Sequence, residues 1–354
     1  TYTYYPGNER QETLAEFDGT TSKVTRWTYL DTGEVETITI ADGTLEATTI
    51  TLGYDDARRL IKVTDGLENY IEYKLDTEGN RKEENIHDST GALKKALIQT
   101  FDLYNRLDTT SQENEGMNYD FAADGTLDQQ TDGKGAITDF SYDALKRLLT
   151  STQDLSGLGA STRYDYDVAD TMVSVIDPVN GSTSYSYDDL GNLLQTVSPD
   201  AGTTVSTYDT AGNLKTRIDA KGQQFTYSYD VLNRLTALNA PGTADDITYD
   251  YDTCTNGIGQ LCSITMGSTT ETYSYDAFGN VTGHQQLVYG YDAANRLKTL
   301  TYPSGIVVTY HYDVAGRVNQ VDLTEGSNTR VLASNITYAP FGAIEGLVYG
   351  NGKT

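Results

Sequence analysis

The sequence is poor in the residues that build most catalytic and metal centres. It has 2 cysteines, 3 histidines, 3 methionines and 1 tryptophan among 354 residues. The histidines His87, His284 and His311 are far apart, and no nucleophile elbow, zincin helix, phosphate-binding loop or EF-hand loop is present. The paired acids at 55–56 and 245–246 could suggest acid–base catalysis, but acidic residues are so abundant that such pairs are expected by chance. We therefore expect no catalytic residue, metal site or cofactor, and a protein that is not an enzyme.

Long apolar runs and positive charge are also scarce. No run reaches the roughly 18 apolar residues that a membrane-spanning helix needs, so we expect no such segment. Lys and Arg number 25 against 51 Asp and Glu, which gives a formal net charge of −26. Because such a surface repels phosphate backbones, we expect no nucleic-acid partner. The acidic surface suits a highly soluble protein, or one that faces a basic cargo.

Tyrosine is in excess, with 28 copies against 7 phenylalanines, and it recurs at a regular interval. A Tyr-Asp pair or a close variant appears fourteen times, at an average spacing of just under 22 residues, which indicates an internal repeat. The pairs begin at Tyr54, Leu75, Phe101, Phe121, Tyr142, Tyr166, Tyr187, Tyr208, Tyr229, Tyr251, Tyr275, Tyr291, Tyr312 and Tyr338.

Each repeat predicts a β-hairpin. Tyrosines two residues apart before the aspartate lie on one face of a strand. The Asp-x-x-Gly or Asp-x-x-Asn that follows favours a type I turn closed by a left-handed residue, and an aliphatic residue then begins the return strand. The residues that define the repeat are Tyr187, Asp188, Gly191, Leu193, Tyr208, Asp209, Gly212, Tyr229, Asp230, Asn233, Tyr275, Asp276, Gly279, Tyr312, Asp313 and Gly316. Arg58, Lys146 and Asp170 stand where Gly or Asn is expected, so we expect less secure turns there.

A second set of turns closes each repeat, as at residues 132–135, 177–181, 199–202 and 219–222. Two strands per repeat predict roughly 28 strands, which at about 4.8 Å each form a ribbon about 130 Å wide. Such a ribbon must twist and curl, and one full turn would enclose a tube about 40 Å across. We therefore expect an all-β fold in which tandem repeats of about 21 residues form a long antiparallel sheet wound into a spiral, hollow shell.

The repeats predict three parts of the chain. Residues 1–53 hold divergent repeats, with faded copies at Phe17-Asp18 and after Tyr29, and residues 54–348 form the regular array. Residues 349–354 look like residues 302–307 and predict the start of a further, truncated repeat. We therefore expect a fragment of a longer protein, with adjoining repeats as partners.

The copies YDDLGNL, YDTAGNL, YDVLNRL, YDAFGNV, YDAANRL and YDVAGRV resemble the YD repeats of the RHS family, over about four fifths of the chain. The resemblance implies the shell wall of a bacterial RHS protein that encloses a C-terminal polypeptide, often a toxin. In many bacterial members an Asp-Pro-x-Gly element ends the array and is associated with self-cleavage. Residues 177–181 (DPVNG) are one residue longer and lie within the array. The resemblance therefore implies the wall here, and neither the protease nor the toxin.

Cys254 and Cys262 flank a seven-residue loop that expands one turn of the array. On opposing strands they could form a disulfide, although two free thiols remain an alternative. A metal or catalytic role would need further ligands that the sequence does not supply at zinc-site spacing. The stretch CTNGIGQLC also looks like an element of bacterial RHS arrays.

These observations predict a non-enzymatic shell segment of a larger protein of the polymorphic-toxin kind, secreted or carried on the bacterial surface. Its partner would be the cargo domain at the C-terminus of that protein, which this chain does not contain. The alternative is a cell-surface adhesion module that binds carbohydrate, because exposed tyrosine rings can stack on sugar rings. The same tyrosine rows could instead pack within the wall or against the cargo.

Overall fold

The computed structural model describes residues 1–6, 10–17, 22–112, 115–242 and 245–353. Within these residues the regular structure consists of 32 strands, which confirms the all-β, antiparallel prediction. The last 28 strands, from Thr48 onward, match the count expected from fourteen repeats, and four more precede them. No helix in the described part has the length and apolar composition that a membrane crossing requires. Asp18 and Thr354 lie outside the described residues.

The chain divides into two units, of which the first comprises residues 1–106, 252–260 and 272–354 and the second comprises 107–251 and 261–271. The boundaries at 53 and 348 expected from the repeats stay predictions. The first nine strands are β1 (Tyr2–Tyr4), β2 (Gln11–Phe17), β3 (Ser22–Tyr29), β4 (Val35–Ile40), β5 (Thr48–Tyr54), β6 (Leu60–Thr64), β7 (Tyr70–Leu75), β8 (Arg81–His87) and β9 (Leu93–Phe101).

The second unit follows the same plan. Its strands are β10 (Leu107–Gln112), β11 (Glu115–Phe121), β12 (Leu127–Asp132), β13 (Ile137–Tyr142), β14 (Leu148–Gln153), β15 (Ala160–Tyr166), β16 (Met172–Ile176), β17 (Ser182–Tyr187), β18 (Leu193–Ser198), β19 (Gly202–Tyr208), β20 (Leu214–Ile218), β21 (Gln224–Tyr229), β22 (Leu235–Asn239), β23 (Ile247–Tyr251) and β24 (Leu261–Met266). The remaining strands are β25 (Thr269–Tyr275), β26 (Val281–His284), β27 (Leu287–Tyr291), β28 (Leu297–Thr301), β29 (Val307–Tyr312), β30 (Val318–Glu325), β31 (Asn328–Tyr338) and β32 (Ile344–Tyr349).

Within each unit, each strand pairs with the next in antiparallel order. In the first unit this holds from β1 to β9 and again from β25 to β32. In the second unit it holds from β10 to β24. Hairpins in such a row turn alternately at its two edges. We call the turns after odd-numbered strands YD turns, and those after even-numbered strands between-repeat turns.

Most of the described YD turns share one backbone geometry, and the turns after β23 and β31 differ from it. In the copy after β17, the amide of Gly191 donates to the carbonyl of Asp188 at 3.0 Å, and Gly191 has a φ of 82°. This is a type I turn closed by a left-handed residue. Arg58, Lys146 and Asp170 adopt the same conformation, with φ of 63°, 64° and 65°. The turn therefore forms even where the sequence made it look less secure.

A β-bulge accompanies each regular YD turn. In β17, Ser186 lies opposite Gln195 while Tyr187 lies opposite Leu193, so the return strand has one extra residue, Leu194. The same register shift precedes Tyr229, in the hairpin of β21 and β22. A bulge bends its strand and increases the local right-handed twist. The sequence predicted that the sheet twists, but it did not predict the bulge that recurs at these turns.

The sheet has almost no buried core. Among the described residues the buried apolar side chains are Ala41, Cys262, Val308 and Ile336, and no large side chain is fully buried. In β17 and β19 one face is half-buried and the other exposed, whereas every residue of β13 and β16 is half-buried. Stability must therefore come from contacts between neighbouring repeats, as in other repeat proteins.

The left-handed position at Gly191 gives a first test. A Cβ at Gly191 would meet no atom within 4 Å, so a substitution there costs only backbone strain. We expect Gly191→Val to reduce the free energy of unfolding by about 1 to 3 kcal/mol, because a β-branched residue resists positive φ. Gly191→Asn should cost far less, because asparagine tolerates this conformation. Thermal melts of the two variants check this, and equal melting temperatures for Gly191→Val and the parent would contradict the turn assignment.

Candidate functional site

The repeated turn is organised by its aspartate. Asp188 Oδ1 accepts hydrogen bonds from the amides of Leu190 at 3.0 Å and Asn192 at 2.8 Å. Oδ2 of the same carboxylate accepts from Asn192 Nδ2 at 2.9 Å. The carboxylate thus satisfies turn amides that have no strand partner.

The residue four positions after the aspartate completes the turn, a role that the sequence reasoning missed. In other repeats this residue is arginine. In one of them, Arg234 Nε donates a hydrogen bond to Asp230 Oδ2 at 2.7 Å. The signal was present in the sequence, because this position is Asn or Arg in every full copy. These residues are Asn192, Asn213, Arg234, Asn280, Arg296 and Arg317.

The tyrosine of many pairs links its repeat to the one before. The hydroxyl of Tyr229 donates to the carbonyl of Leu214 at 3.0 Å, and that of Tyr312 donates to Leu297 at 2.6 Å. Further bonds of this kind run from Tyr54 to Val35, Tyr208 to Leu193, Tyr251 to Leu235, Tyr291 to Val281 and Tyr338 to Val318. The tyrosine ring covers the sheet while its polar end bonds the neighbouring backbone.

Arginine and asparagine continue this linkage at the turns. The Arg234 guanidinium lies 4.4 Å from the ring centroid of Tyr251 in the following repeat, which is a cation–π distance. Where the fourth residue is asparagine, it bonds the next turn instead, as Asn213 Nδ2 does to Asn233 Oδ1 at 2.9 Å. Neighbouring repeats are therefore joined by hydrogen bonds from tyrosine hydroxyls to backbone carbonyls, by cation–π contacts and by hydrogen bonds between turns.

The protonation equilibria reflect these contacts. The hydrogen bond from the Asn192 side chain, followed by that from its amide, lowers the pKa of Asp188. For Asp209, the amide of Asn213 lowers the pKa first and its side chain second. Burial raises the pKa of Tyr229 and of Tyr312. The folded repeat thus favours an ionised aspartate and a neutral tyrosine.

The two cysteines of the expanded turn are not free thiols. Both Cys254 and Cys262 are disulfide-bonded in the structure. Cys262 is also one of the few buried side chains. No group of three or more His, Cys, Asp or Glu side chains in the described part could hold a metal ion.

The histidines belong to separate hairpins. His87 stacks on Tyr70 and His284 stacks on Tyr273, each with ring centroids 4.6 Å apart. His311 Nε2 lies 2.8 Å from Asp322 Oδ2 on the adjacent strand. These are contacts between paired strands, and the fold does not bring the three histidines together.

The tyrosines of the Tyr-Asp pairs are mostly half-buried, and many use their hydroxyl within the sheet. The more exposed tyrosines are Tyr2, Tyr4, Tyr104, Tyr302 and Tyr349. Carbohydrate binding through tyrosine rows therefore stays a prediction, without a specific contact in its favour.

A seam forms within the first unit, where YD turns of residues 276–317 meet between-repeat turns of residues 22–69. The Lys23 ammonium lies 3.9 Å from the ring centroid of Phe278 and donates to Asn295 Oδ1. Further along, Glu46 Oε1 lies 3.2 Å from Lys298 Nζ. These residues are more than 250 positions apart in the sequence, so the seam is a long-range contact.

At the next contact of the seam, the backbones of Gly66 and Val314 lie close together. A Cβ on Gly66 would lie 2.4 Å from the carbonyl oxygen of Val314, so only glycine fits there without movement. Beyond it, the pKa of Lys94 is raised, first by Asp88 and also by the charge of Glu345 in β32.

Three contacts of the seam share one offset, counted in strands, and the bond of Lys23 to Asn295, in the YD turn after β27, spans two strands more. The YD turn after β25 meets the start of β3, the one after β27 meets the turn before β5, and the one after β29 meets the turn before β7. The offset is 23 strands at each of these contacts, counted over the described strands. The contacts join turns to turns, and they use side chains and close carbonyl approach.

Family comparisons agree with this architecture. Residues 117–282 match the Teneurin YD-shell family, and residues 291–327 match the RHS repeat. The chain is an array of RHS/YD repeats. No curated protein matches the sequence significantly.

Among solved structures, the RHS/YD array resembles the TcdB2-TccC3-Cdc42 crystal structure, with a TM-score of 0.66 at 17% identity. It also resembles the Tc holotoxin pore of Photorhabdus luminescens carrying TccC3-D651A, with a TM-score of 0.66 at 18% identity. Each match covers 99% of this chain and 20% of the other. A third match is TcdB2-TccC3 without its hypervariable C-terminal region, with a TM-score of 0.61 at 16% identity over 94% of this chain and 20% of that one. At these identities the likeness shows the fold, and this chain spans about a fifth of the proteins it matches.

Acid should unfold the RHS/YD array through its turn aspartates. Because the folded pKa of Asp188 and Asp209 lies below that of the unfolded chain, the unfolded state binds protons first as the pH falls. The stability from these carboxylates is present above about pH 4 and is lost as the pH falls through the folded pKa. We expect thermal melting temperatures to drop below about pH 4. In Asp188→Asn the acid dependence should be shallower, and an unchanged dependence would contradict the role of this carboxylate.

The seam is tested at Gly66. Gly66→Ala places a methyl group against the Val314 carbonyl, so we expect a loss of about 1 to 3 kcal/mol in the free energy of unfolding. The matched control is Gly133→Ala, at the same position of the between-repeat turn 132–136, where Ala220 already occupies the equivalent position of the turn 219–223. Chemical unfolding of both variants measures the difference. Equal stabilities of the two variants would show that residues 66 and 314 are not in contact.

Proposed function

We propose that this chain is a segment of a wound, hollow wall that encloses a polypeptide cargo, the C-terminal domain of a longer bacterial RHS protein. The wall is non-enzymatic and its protein is secreted or carried on the cell surface. The proposal requires that the sheet lie back on itself in a fixed register, so that successive windings leave no gap.

The seam is the observation that carries this proposal. A sheet that meets itself after 23 strands at three successive turns has the constant offset of a regular winding. At about 4.8 Å per strand, 23 strands extend for about 110 Å, which would enclose a space about 35 Å across. The side chains of a single sheet are too short to fill a space of that width. Room for a folded or unfolded polypeptide would therefore remain.

The relatives support the class of cargo. The structural neighbours are components of Tc toxins, and one of them is described as lacking a hypervariable C-terminal region. A variable region after a constant wall is what a container with interchangeable contents would have. A toxin is therefore the cargo that we infer for this protein.

Protease protection of the complete gene product tests the function. The region that follows the array should resist protease at a concentration that digests the same region expressed alone, because the wall excludes the protease. Digestion of this region should begin when the wall is unfolded at pH 3. Intact mass spectrometry would follow the array and the region after it. Digestion at the same rate with and without the array would contradict enclosure, and it would shift the interpretation to adhesion or scaffolding.

A further inference from the structure

The strands of the second unit separate their side chains into two unlike faces. Residues that lie opposite each other on paired strands share a face of the sheet, so the registers of β13 to β24 assign their paired residues to one face or the other. Every Tyr and Phe of these strands lies on the same face as Tyr185. We call this the aromatic face, and the opposite one the hydroxyl face.

The hydroxyl face carries short polar side chains and most of the charge. Its hydroxyl groups pair across the strands, as Ser141 Oγ does with Thr150 Oγ1 at 2.6 Å. Among the paired residues of β13 to β24, Arg217 is the one charged residue of the aromatic face, which therefore holds no carboxylate. The charged residues with a strand partner on the hydroxyl face are Asp139, Arg163, Asp165 and Asp250.

The two faces also differ in exposure where the residue type is the same. In β19, Thr204 lies on the aromatic face and is half-buried. Thr203 and Thr207 lie on the hydroxyl face of the same strand, and both are exposed. The large rings shelter their neighbours, so the aromatic face is the drier side of this sheet.

These properties suit different surroundings. A wall around an enclosed space has one face in bulk water, and a broad aromatic surface there would be a site of association with other molecules. The hydroxyl face instead resembles the polar, charged surface of a soluble protein. The rings of the aromatic face are half-buried rather than covered, so contact with an enclosed polypeptide would remove further apolar area from water, which is favourable.

We infer that the aromatic face lines the enclosed space and that the hydroxyl face is the outer surface of the wall. The inference rests on the proposed function, since only a wall that encloses a cargo has an inner face. The cargo then meets tyrosine and phenylalanine rings and the Arg217 guanidinium, a surface that fits apolar and aromatic side chains. The paired carboxylates of β13 to β24 face outward, so the net charge of −26 does not make this inner surface select a basic cargo.

Thiol labelling of the complete gene product tests which face is outside. Arg217→Cys places a thiol on the aromatic face, and Ile218→Cys places one on the hydroxyl face. The two positions are adjacent in β20, and both parent side chains are exposed, so local burial does not distinguish them. A polyethylene-glycol maleimide too large to cross a closed wall is the probe. The parent measures the labelling of any other cysteine, and each variant in urea gives the rate for an open thiol.

In the native protein, Ile218→Cys should react with this probe at least about 10-fold faster than Arg217→Cys, because labelling of a thiol depends on access. In urea the two variants should react equally. Small N-ethylmaleimide, applied first to the native protein, shows whether a slow thiol is shielded only from the large probe. Melting temperatures equal to the parent's show that the variants are folded.

The other outcomes separate this inference from enclosure itself. Faster labelling of Arg217→Cys would overturn the assignment of the faces, while enclosure would stand because one face is still protected. Slow labelling of Ile218→Cys would overturn the assignment as well, since an outer face must be open to the probe. Rapid labelling of both variants would overturn enclosure, and the proposed function with it.

Discussion

The turn aspartate is the interaction on which the rest of the structure depends. A single-layer sheet has no core to hold its hairpins, so each turn must satisfy its own amides. Asp188 does so with one oxygen and uses the other to fix Asn192, while Asp230 uses it to fix Arg234. Arg234 then contacts the ring of Tyr251 in the following repeat, and Asn213, which Asp209 fixes in the same way, donates to the side-chain oxygen of Asn233. Local turn chemistry thereby becomes long-range order along the sheet.

Regular twist follows from this repetition. Because each regular hairpin has the same turn and the same bulge, each adds a similar rotation, and the additions accumulate along the array. The seam records the result, since the contacts of Lys23 with Phe278, Glu46 with Lys298 and Gly66 with Val314 share an offset of 23 strands. A single irregular hairpin would shift that offset for every contact beyond it. The uniformity of the repeat is thus a condition for the constant offset of these contacts.

Much of the fold could be predicted from the sequence, because the information is local. Tyr185 and Tyr187 predict a strand face, and Gly191 predicts the left-handed turn position. The partner role of Asn192 was not predicted, although every full copy has Asn or Arg at this position. The seam could not be predicted, since its register depends on twist summed over many strands. The contact between Gly66 and Val314 has no signature within either repeat.

Zero-length crosslinking of the folded protein tests the central claim that the sheet lies back on itself in one register. A carbodiimide joins a carboxylate to an amine only when the two are in direct contact, as Glu46 and Lys298 are at 3.2 Å. Peptide mass spectrometry should then identify a crosslink between these two residues in the monomeric fraction. Crosslinks from Glu46 to lysines at a different strand offset, or their absence while local pairs such as Lys74 with Glu83 are joined, would contradict the winding.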